Sequence, residues 1–194
     1  HPEVSGEEAG TAYIIRDYLR QYSPNEVIEN LGKNGVAAVY NGQINGPTTM
    51  IRCELDALPI LETNSGLNYK SQNPGVSHKC GHDGHTTIMY GLAKCYANER
   101  PAQGDVCIIF QPAEEIGWGA PQIVKTGMLE TYNIDSVLSL HNVPQYPLHE
   151  IVCREGSFTP AVTTLIVSFK GHTSHAAEPW HGRNPAAAMS KYML

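Results

Sequence analysis

Three short motifs in the sequence carry side chains of the kinds that bind transition metals. They are Cys80-Gly81-His82, the adjacent pair Glu114-Glu115, and His141. A Cys thiolate, a His imidazole and a carboxylate together suit Zn²⁺ or a neighbouring divalent ion. Taken alone, each motif is more typical of a solvated loop or of a hydrogen-bonded histidine. Their meaning therefore depends on whether the fold brings them together.

The Glu114-Glu115 pair also has a use in catalysis. In an extended backbone, adjacent side chains point to opposite sides. One glutamate can then bind a metal while its neighbour faces a water that the metal activates. That neighbour would be a general base toward the water and then a general acid toward a leaving amine. Because a bound metal lowers the pKa of water toward ~7 and polarises a carbonyl, the expected reaction is hydrolysis of an amide.

Hydrophobic spacing predicts the elements that would position these motifs. Apolar residues recur at helical spacing after Ser5, which with Glu8 has the spacing of a capping box, and this helix ends before Ser23-Pro24. Another helix is predicted around 120–128 and a further one over 86–97, with an apolar side made of Ile88, Leu92, Cys95 and Tyr96. Strands are predicted over 36–40, 48–55, 105–110 and 135–140, and the first two could form a hairpin.

The alternation of strands and helices predicts an α/β sheet. In such a sheet, ligands bind in the crevice beyond the carboxyl ends of the strands. The candidate residues all follow a predicted strand or open a predicted helix: Asp56, Glu114-Glu115 and His141 after strands, and Cys80 and His82 before the helix at 86. We therefore expect them to converge on one edge of the sheet.

Composition narrows the classes of function. The net charge of −6 argues against nucleic-acid binding, which normally leaves a basic surface. No apolar run approaches the ~20 residues of a membrane span, and the first residues show no signal-peptide pattern. Five cysteines without a Cys-x-x-Cys pair do not form a disulfide framework, and we expect Cys95 and Cys107 to be buried free thiols. A reducing compartment, the cytoplasm, is the predicted location.

The pattern changes after about Gly156. A β-like stretch runs from Val162 to Phe169, a loop follows, and Asn184-Pro185 opens a helix with an N-cap residue and proline at the first helical position. We expect two domains, 1–159 and 160–194. The cluster Gly171-His172-Thr173-Ser174-His175 lies in the second and suits a contact with an oxyanion or substrate, or a surface loop.

These motifs resemble the M20 family of metallopeptidases, and within it the amidohydrolases related to hippuricase and the auxin-conjugate hydrolases. The resemblance covers essentially the whole chain, with the motifs in the family's order. The matching pieces are His1-Pro2-Glu3, Arg52-Cys53-Glu54-Leu55-Asp56-Ala57-Leu58-Pro59, Cys80-Gly81-His82-Asp83-Gly84-His85, Phe110-Gln111-Pro112-Ala113-Glu114-Glu115, Leu140-His141-Asn142 and His175-Ala176-Ala177.

The resemblance implies a site for two divalent transition-metal ions, of Zn, Mn, Co or Ni. The residues implied as metal ligands are Cys80, His82, Glu115 and His141. Glu114 would be the general base, and His175 would stabilise the oxyanion, commonly in the site of a dimer partner. Asp56 matches an acidic position close to the metals.

The resemblance also implies a fold and a substrate class. The fold would be a zinc-exopeptidase-like mixed sheet flanked by helices, followed by the start of an inserted α+β lid or dimerisation domain. The reaction would be hydrolysis of N-acyl amino acids or similar small amides by a protein about twice as long and homodimeric, with no nucleic-acid or membrane partner. A further metal-binding histidine would lie near the C-terminus of that full protein.

Several positions depart from the family's pattern, and three other functions stay open. Glu54 stands where relatives usually carry Asp, Lys79 replaces a small residue, Ser174 a Gly and Asn184 an Asp. The open alternatives are a dipeptidase or small-peptide exopeptidase with the same metals, a non-catalytic metal-binding or dimerisation module, and a hydrolase in which Cys80 is the nucleophile and His82 or His141 its base.

Overall fold

The computed structural model describes residues 1–64, 66–159 and 161–193. The chain divides into two compact units, His1–Gln145 and Tyr146–Leu194. The predicted division at 159/160 concerns the domains of the full-length protein and stays a prediction. No helix among the described residues has the length and apolar character that crossing a membrane requires.

The first unit is built around a mixed five-stranded sheet with the order β1-β2-β4-β3-β5. Strand β2 is antiparallel to both β1 and β4, whereas β3 is parallel to both β4 and β5. This sheet and its helices confirm the predicted α/β class. The elements in chain order are α1 (Ala9–Gln21), β1 (Glu26–Leu31), β2 (Gly35–Tyr40), β3 (Ile44–Glu54), α2 (His82–Asn98), β4 (Gln103–Gln111), α3 (Gly119–Lys125), α4 (Met128–Thr131) and β5 (Ile134–Ser139).

Helices cover both faces of the sheet. Alternate residues of β2 and β4 face opposite sides, so these strands supply apolar side chains to both faces. One face packs against Ile15 and Leu19 of α1 and against Met89 of α2. The other face packs against Ile123 of α3 and Met128 of α4. Every residue of β2 is buried, as expected for a strand in the interior of a sheet covered on two sides.

The expected hairpin between 36–40 and 48–55 is wrong. Strand β2 pairs instead with β1 and β4, and no residue pair joins it to β3. Strand β1 was not predicted, because its sequence Glu-Val-Ile-Glu-Asn-Leu is half polar and only partly buried. A strand at the edge of a sheet needs few apolar residues, so the hydrophobic pattern did not reveal it.

The helix predicted around 120–128 is two short helices, α3 and α4, because Gly127 between them has a left-handed φ of +72°. Two further helix details differ, and both involve polar residues used in tertiary contacts. Ser5 and Glu8 form no capping box: the Ser5 hydroxyl donates to Asp56 Oδ2 at 2.6 Å, and buried Glu8 accepts from the Ala113 N–H at 2.8 Å. On α2, Ile88 is 54 % exposed. The residues that α2 buries are His82, His85, Met89 and Ala93.

Of the two cysteine predictions, one is confirmed and the other is wrong. Cys107 in β4 is a buried free thiol, as expected, whereas Cys95 on α2 is exposed. The expectation for Cys95 failed because the buried side of α2 runs through His82, His85, Met89 and Ala93, and Cys95 lies off that side.

The second unit contains a short helical turn, Pro179–His181, and the helix α5 (Pro185–Tyr192). The predicted N-cap is confirmed, since Asn184 Oδ1 accepts from the Ala186 N–H at 2.9 Å. The apolar stretch 162–169, expected to be β-like, forms no strand, and Val162 and Leu165 are exposed.

Candidate metal centre

The candidate site lies where three parallel strands end. Because β3, β4 and β5 run in the same direction, the residues that follow them meet at one edge of the sheet. Asp56 follows β3, Glu114 and Glu115 follow β4, and His141 follows β5. The N-terminus of α2 brings Cys80 and His82 to the same place. Six residues that the sequence singled out are therefore neighbours, although their roles stay predictions.

Two groups of potential metal ligands overlap at His82. The ligand atoms of Cys80, His82 and His141 all lie within 4.8 Å of one another, and so do those of His82, Glu114 and Glu115. The Cys80 Sγ is 3.4 Å from His141 Nε2, and His82 Nε2 is 3.8 Å from a carboxylate oxygen of both Glu114 and Glu115. The arrangement offers sulfur, nitrogen and oxygen donors in one small volume.

The orientation of His82 favours a cation at this place. Its Nδ1 donates to the backbone carbonyl of Asp56 at 2.7 Å, which leaves a lone pair on Nε2 of the neutral ring. Buried Nε2 has no hydrogen-bond partner among the described residues, and the same is true of Glu115 Oε1 and Asp56 Oδ1. Lone pairs that face each other without a proton between them repel. A bound divalent ion would remove that repulsion, so the donor set fits a metal.

Asp56 organises the site without needing to bind a metal itself. Burial would raise the pKa of Asp56. The nearby His82 ring, whose Nδ1 lies 3.5 Å from Oδ1, and hydrogen bonds from Ser5 and the backbone N–H groups of Glu115 and Glu114 outweigh this effect and lower the pKa to about 2. The Glu115 N–H donates to Asp56 Oδ2 at 3.0 Å. An ionised Asp56 thus holds His82 on α2 and Glu115 after β4 in fixed positions.

Burial and neighbouring carboxylates raise the pKa values of Glu114 and Cys80, and this bears on which of the two can act in catalysis. Burial, followed by the nearby Glu115, raises the pKa of Glu114, which suits a group that must gain and lose a proton. Burial and then Glu115 raise the pKa of the Cys80 thiol to about 12. A nucleophilic cysteine needs a lowered pKa, so the alternative with Cys80 as nucleophile is disfavoured. In a metal-binding site the cation would favour the thiolate.

Gly81 allows Cys80 and His82 to flank the start of α2. Its φ of +99° lies in the left-handed region, where side chains are strained. A Cβ at this position would also lie 2.3 Å from Asn142 Oδ1. Glycine is therefore required by the backbone conformation and by the packing of the residue that follows His141.

A second buried cluster at this edge was not predicted from the sequence. His85 Nδ1 is 2.8 Å from Glu54 Oε2, and Arg52 also pairs with Glu54. Arg52 Nε donates to Gln111 Oε1 at 2.9 Å. A signal was present, since Arg52, Glu54 and Asp56 alternate along the end of β3 and His85 lies one helical turn after His82. Nothing in the spacing alone separated such a cluster from solvated charges.

His175 is the one predicted site residue that the first unit does not contain. It lies in the unit Tyr146–Leu194, is exposed, and accepts from the Ala177 N–H at 3.2 Å. Its predicted role toward an oxyanion stays a prediction.

The sequence profile of peptidase family M20/M25/M40 matches residues 50–192 of the chain. The chain belongs to this family. The match contains all the predicted metal ligands, and the hippuricase and auxin-conjugate subgroup is a finer assignment that it does not make.

Individual M20 relatives agree with this assignment. The chain is 35 % identical to an N-acetyl-L-cysteine deacetylase of Bacillus subtilis over 100 % of its own length and 46 % of that protein. It is 33 % identical to an N-acetyldiaminopimelate deacetylase of Listeria innocua, over 99 % of its length and 51 % of that protein. The chain thus spans about half the length of the curated relatives it matches.

A solved M20 structure has the same fold. The YXEP protein of Bacillus subtilis, described as a dinuclear metal-binding peptidase of the M20 family, superposes with a TM-score of 0.70 at 38 % identity. The superposition covers 76 % of this chain and 40 % of that protein. The predicted mixed sheet flanked by helices is therefore the sheet of an M20 catalytic domain.

Proposed function

We propose that the full-length protein hydrolyses the amide bond of N-acyl amino acids, or of similar small amides, at a centre for two divalent metal ions. The observation that carries the proposal is His82 Nε2, which is buried, unpartnered and 3.8 Å from both Glu114 and Glu115. Cys80, His82, Glu115 and His141 would hold the metals. Zn, Mn, Co and Ni all accept such a donor set.

The protein's own residues divide the reaction between them. When bound, the metals would lower the pKa of water and polarise the amide carbonyl. Glu114 removes a proton from the attacking water and returns it to the leaving amine, a role worth about 10²–10⁴ in rate. His175 donates a hydrogen bond to the oxyanion. Asp56 keeps His82 in the tautomer that presents Nε2.

The names of relatives support an acylated amino acid as substrate. The deacetylases of N-acetyl-L-cysteine and N-acetyldiaminopimelate both act on an N-acetyl group carried by an amino acid. The finer hypothesis, an enzyme of the hippuricase and auxin-conjugate kind, predicts larger aromatic acyl groups. The second candidate is a dipeptidase or small-peptide exopeptidase, which the description of YXEP as a peptidase favours.

Metal analysis combined with a substrate panel tests the proposal on full-length protein. The panel is N-acetylcysteine, N-acetyldiaminopimelate, N-benzoylglycine, an indole-acetyl amino acid and free dipeptides. We expect close to two transition-metal equivalents, turnover of at least one acylated amino acid, loss of turnover on chelation, and recovery on adding metal back. Less than one equivalent of metal, or activity that resists chelation but is lost on alkylating Cys80, would contradict it. Faster cleavage of dipeptides would favour the second candidate.

We further propose a homodimer, an inserted lid beginning near residue 160, and a cytoplasmic location. The five cysteines are all free, in keeping with a reducing compartment. The proposed partners of the protein are therefore a second copy of itself and a small-molecule substrate.

A further inference from the structure

His85 is a buried histidine that the proposed reaction does not use. It lies in the first turn of α2, one helical turn after His82, and is 1 % exposed. Its Nδ1 is 2.8 Å from Glu54 Oε2, and its Nε2 is 2.7 Å from Oδ1 and 3.0 Å from the backbone N of Asn142. Because both ring nitrogens have partners, His85 has no free lone pair for a metal, although its ligand atoms lie close to those of Glu54 and His82.

In each protonation state of His85, one of the two contacts with Asn142 is a hydrogen bond. A neutral ring that donates from Nδ1 to Glu54 accepts at Nε2 from the Asn142 N–H. A doubly protonated ring donates from Nε2 to Asn142 Oδ1 instead. His85 therefore holds Asn142 whichever form is present.

Asn142 in turn orients His141. The Asn142 carbonyl lies 2.8 Å from His141 Nδ1, so it accepts the proton there and leaves Nε2 to face Cys80 Sγ at 3.4 Å. The Asn142 amide group also packs on Gly81, where a Cβ would come within 2.3 Å of Oδ1. A continuous path thus runs from Glu54 through His85 and Asn142 to His141.

We propose that His85 and Asn142 are positioning residues, which hold His141 against Cys80 at the metal centre. This inference rests on the proposed function, because it assigns the path its purpose at the metals. The path ties the end of β5 to the helix that supplies Cys80 and His82. Groups that orient metal-binding histidines in this way typically contribute about 10- to 100-fold in metal affinity or activity.

A matched pair of substitutions separates this role from a merely structural one. Nδ1 is two bonds from Cβ, as is the amide nitrogen of Asn, and Nε2 is three bonds from Cβ, as is that of Gln. His85→Asn therefore keeps a donor for Glu54 and loses Asn142. His85→Gln loses Glu54 and keeps both a donor and an acceptor for Asn142. Asn142→Ala removes Oδ1 and its packing on Gly81, but keeps the backbone N–H that contacts His85 and the backbone carbonyl that contacts His141. It also leaves the pair of His85 and Glu54 in place.

The probe is Co²⁺ titrated into metal-free, full-length protein, followed by the thiolate-to-cobalt charge-transfer band and the visible ligand-field bands. We expect His85→Asn to weaken Co²⁺ binding by about 10- to 100-fold and to change both sets of bands. Asn142→Ala, which keeps the backbone contacts, should have a smaller effect of the same kind. His85→Gln should stay close to the parent. Thermal unfolding of the metal-free variants should match that of two exposed controls, Asn98→Ala and His181→Gln.

The possible results are decisive. Parent-like Co²⁺ binding by His85→Asn overturns the proposal, because the contact of His85 with Asn142 is then dispensable at the metal centre. Weaker binding that follows the loss of metal-free stability also overturns it. If the parent protein itself binds no Co²⁺, the proposed function is contradicted instead. Failure of the positioning proposal and failure of the proposed function are thus distinguishable.

Discussion

His82 and His141 are oriented toward the candidate centre in the same way. Each ring gives its Nδ1 proton to a backbone carbonyl, of Asp56 for His82 and of Asn142 for His141. Each therefore presents Nε2 toward the other candidate ligands. A fixed tautomer lowers the cost of binding a metal, because the lone pair is already aimed. The residue types alone could not have revealed this, since it depends on the carbonyls that follow the strands.

The substitution Glu114→Gln should separate metal binding from catalysis. Gln keeps the size of the side chain and removes its capacity to take a proton, so we expect kcat to fall by about 10²–10⁴. Metal content should stay at the parent's value, because Glu114 is assigned to the water and not to a metal. Steady-state kinetics on the best acylated substrate and metal analysis of the same sample measure both.

The exposed acid Glu99 provides the control, since Glu99→Gln alters the same chemical group at the end of α2 and should leave kcat unchanged. Retained turnover in Glu114→Gln would mean that another residue is the base. Loss of a metal equivalent would mean that Glu114 is a ligand.

Strands and helices were predictable to the extent that they bury apolar side chains. Strand β4 contains a continuous, buried apolar run and was predicted almost to its ends. Strand β5 was also predicted to within a residue at each end, although its Val137 and Leu138 are exposed. Strand β1 was missed because it lies at the sheet edge with polar residues, and the pairing of β2 was wrong for the same reason. On α2, hydrophobic periodicity was right for Leu92 and Tyr96, which pack on the core, and wrong for Ile88 and Cys95, which are exposed. The core-facing side of the helix begins with two buried histidines, His82 and His85.

The candidate site was predictable to the extent that its residue types are unusual. Cys80, His82 and the Glu114-Glu115 pair were expected to converge, because each follows a predicted strand or precedes a predicted helix, and together their side-chain types suit a metal. Glu54, His85 and Asn142 are ordinary polar residues whose burial and hydrogen bonds exist only in the folded sheet. Their function follows from tertiary contacts, which spacing does not contain.

Glycine substitutions on α2 give a prediction at the scale of the element. Gly91 is exposed within the helix, and a Cβ there would meet nothing within 4 Å. Gly91→Ala should therefore raise the free energy of unfolding by about 0.5–1 kcal/mol. Gly81→Ala should lower it by about 1–3 kcal/mol, because the left-handed backbone and Asn142 both oppose a side chain.

Equilibrium unfolding in urea of the metal-free protein measures both changes. The same chemical substitution, ten residues apart, is expected to have opposite signs. A Gly81→Ala variant as stable as the parent would show that the start of α2 can relax, and the packing argument for this glycine would then be wrong.

For the whole molecule, the proposed dimer predicts complementation between two inactive variants. If His175 acts in the partner's site, a dimer of Glu114→Gln with His175→Ala contains one site with both groups intact. Equal amounts, dissociated and reassembled together, should recover about one quarter of the parent's activity, because half the dimers are mixed and each has one working site.

The necessary controls are each variant reassembled alone and the parent carried through the same procedure. Recovery no greater than the sum of the two variants would place His175 in its own subunit's site or outside any site. Size measurement on the mixture shows whether dimers formed at all.

The parallel pairing of β3 with β5 has a consequence for biosynthesis. Thr49 and Ser136, whose hydroxyls meet across these strands, are 87 residues apart, and Cys80 precedes its neighbour His141 by 61. At typical rates of synthesis, roughly 3–12 seconds pass between the emergence of these two residues. During that interval the nascent chain displays a thiol and an imidazole without their remaining partners. Assembly of the proposed metal ligands is thus a late event, which waits for the arrival of β5 at the sheet.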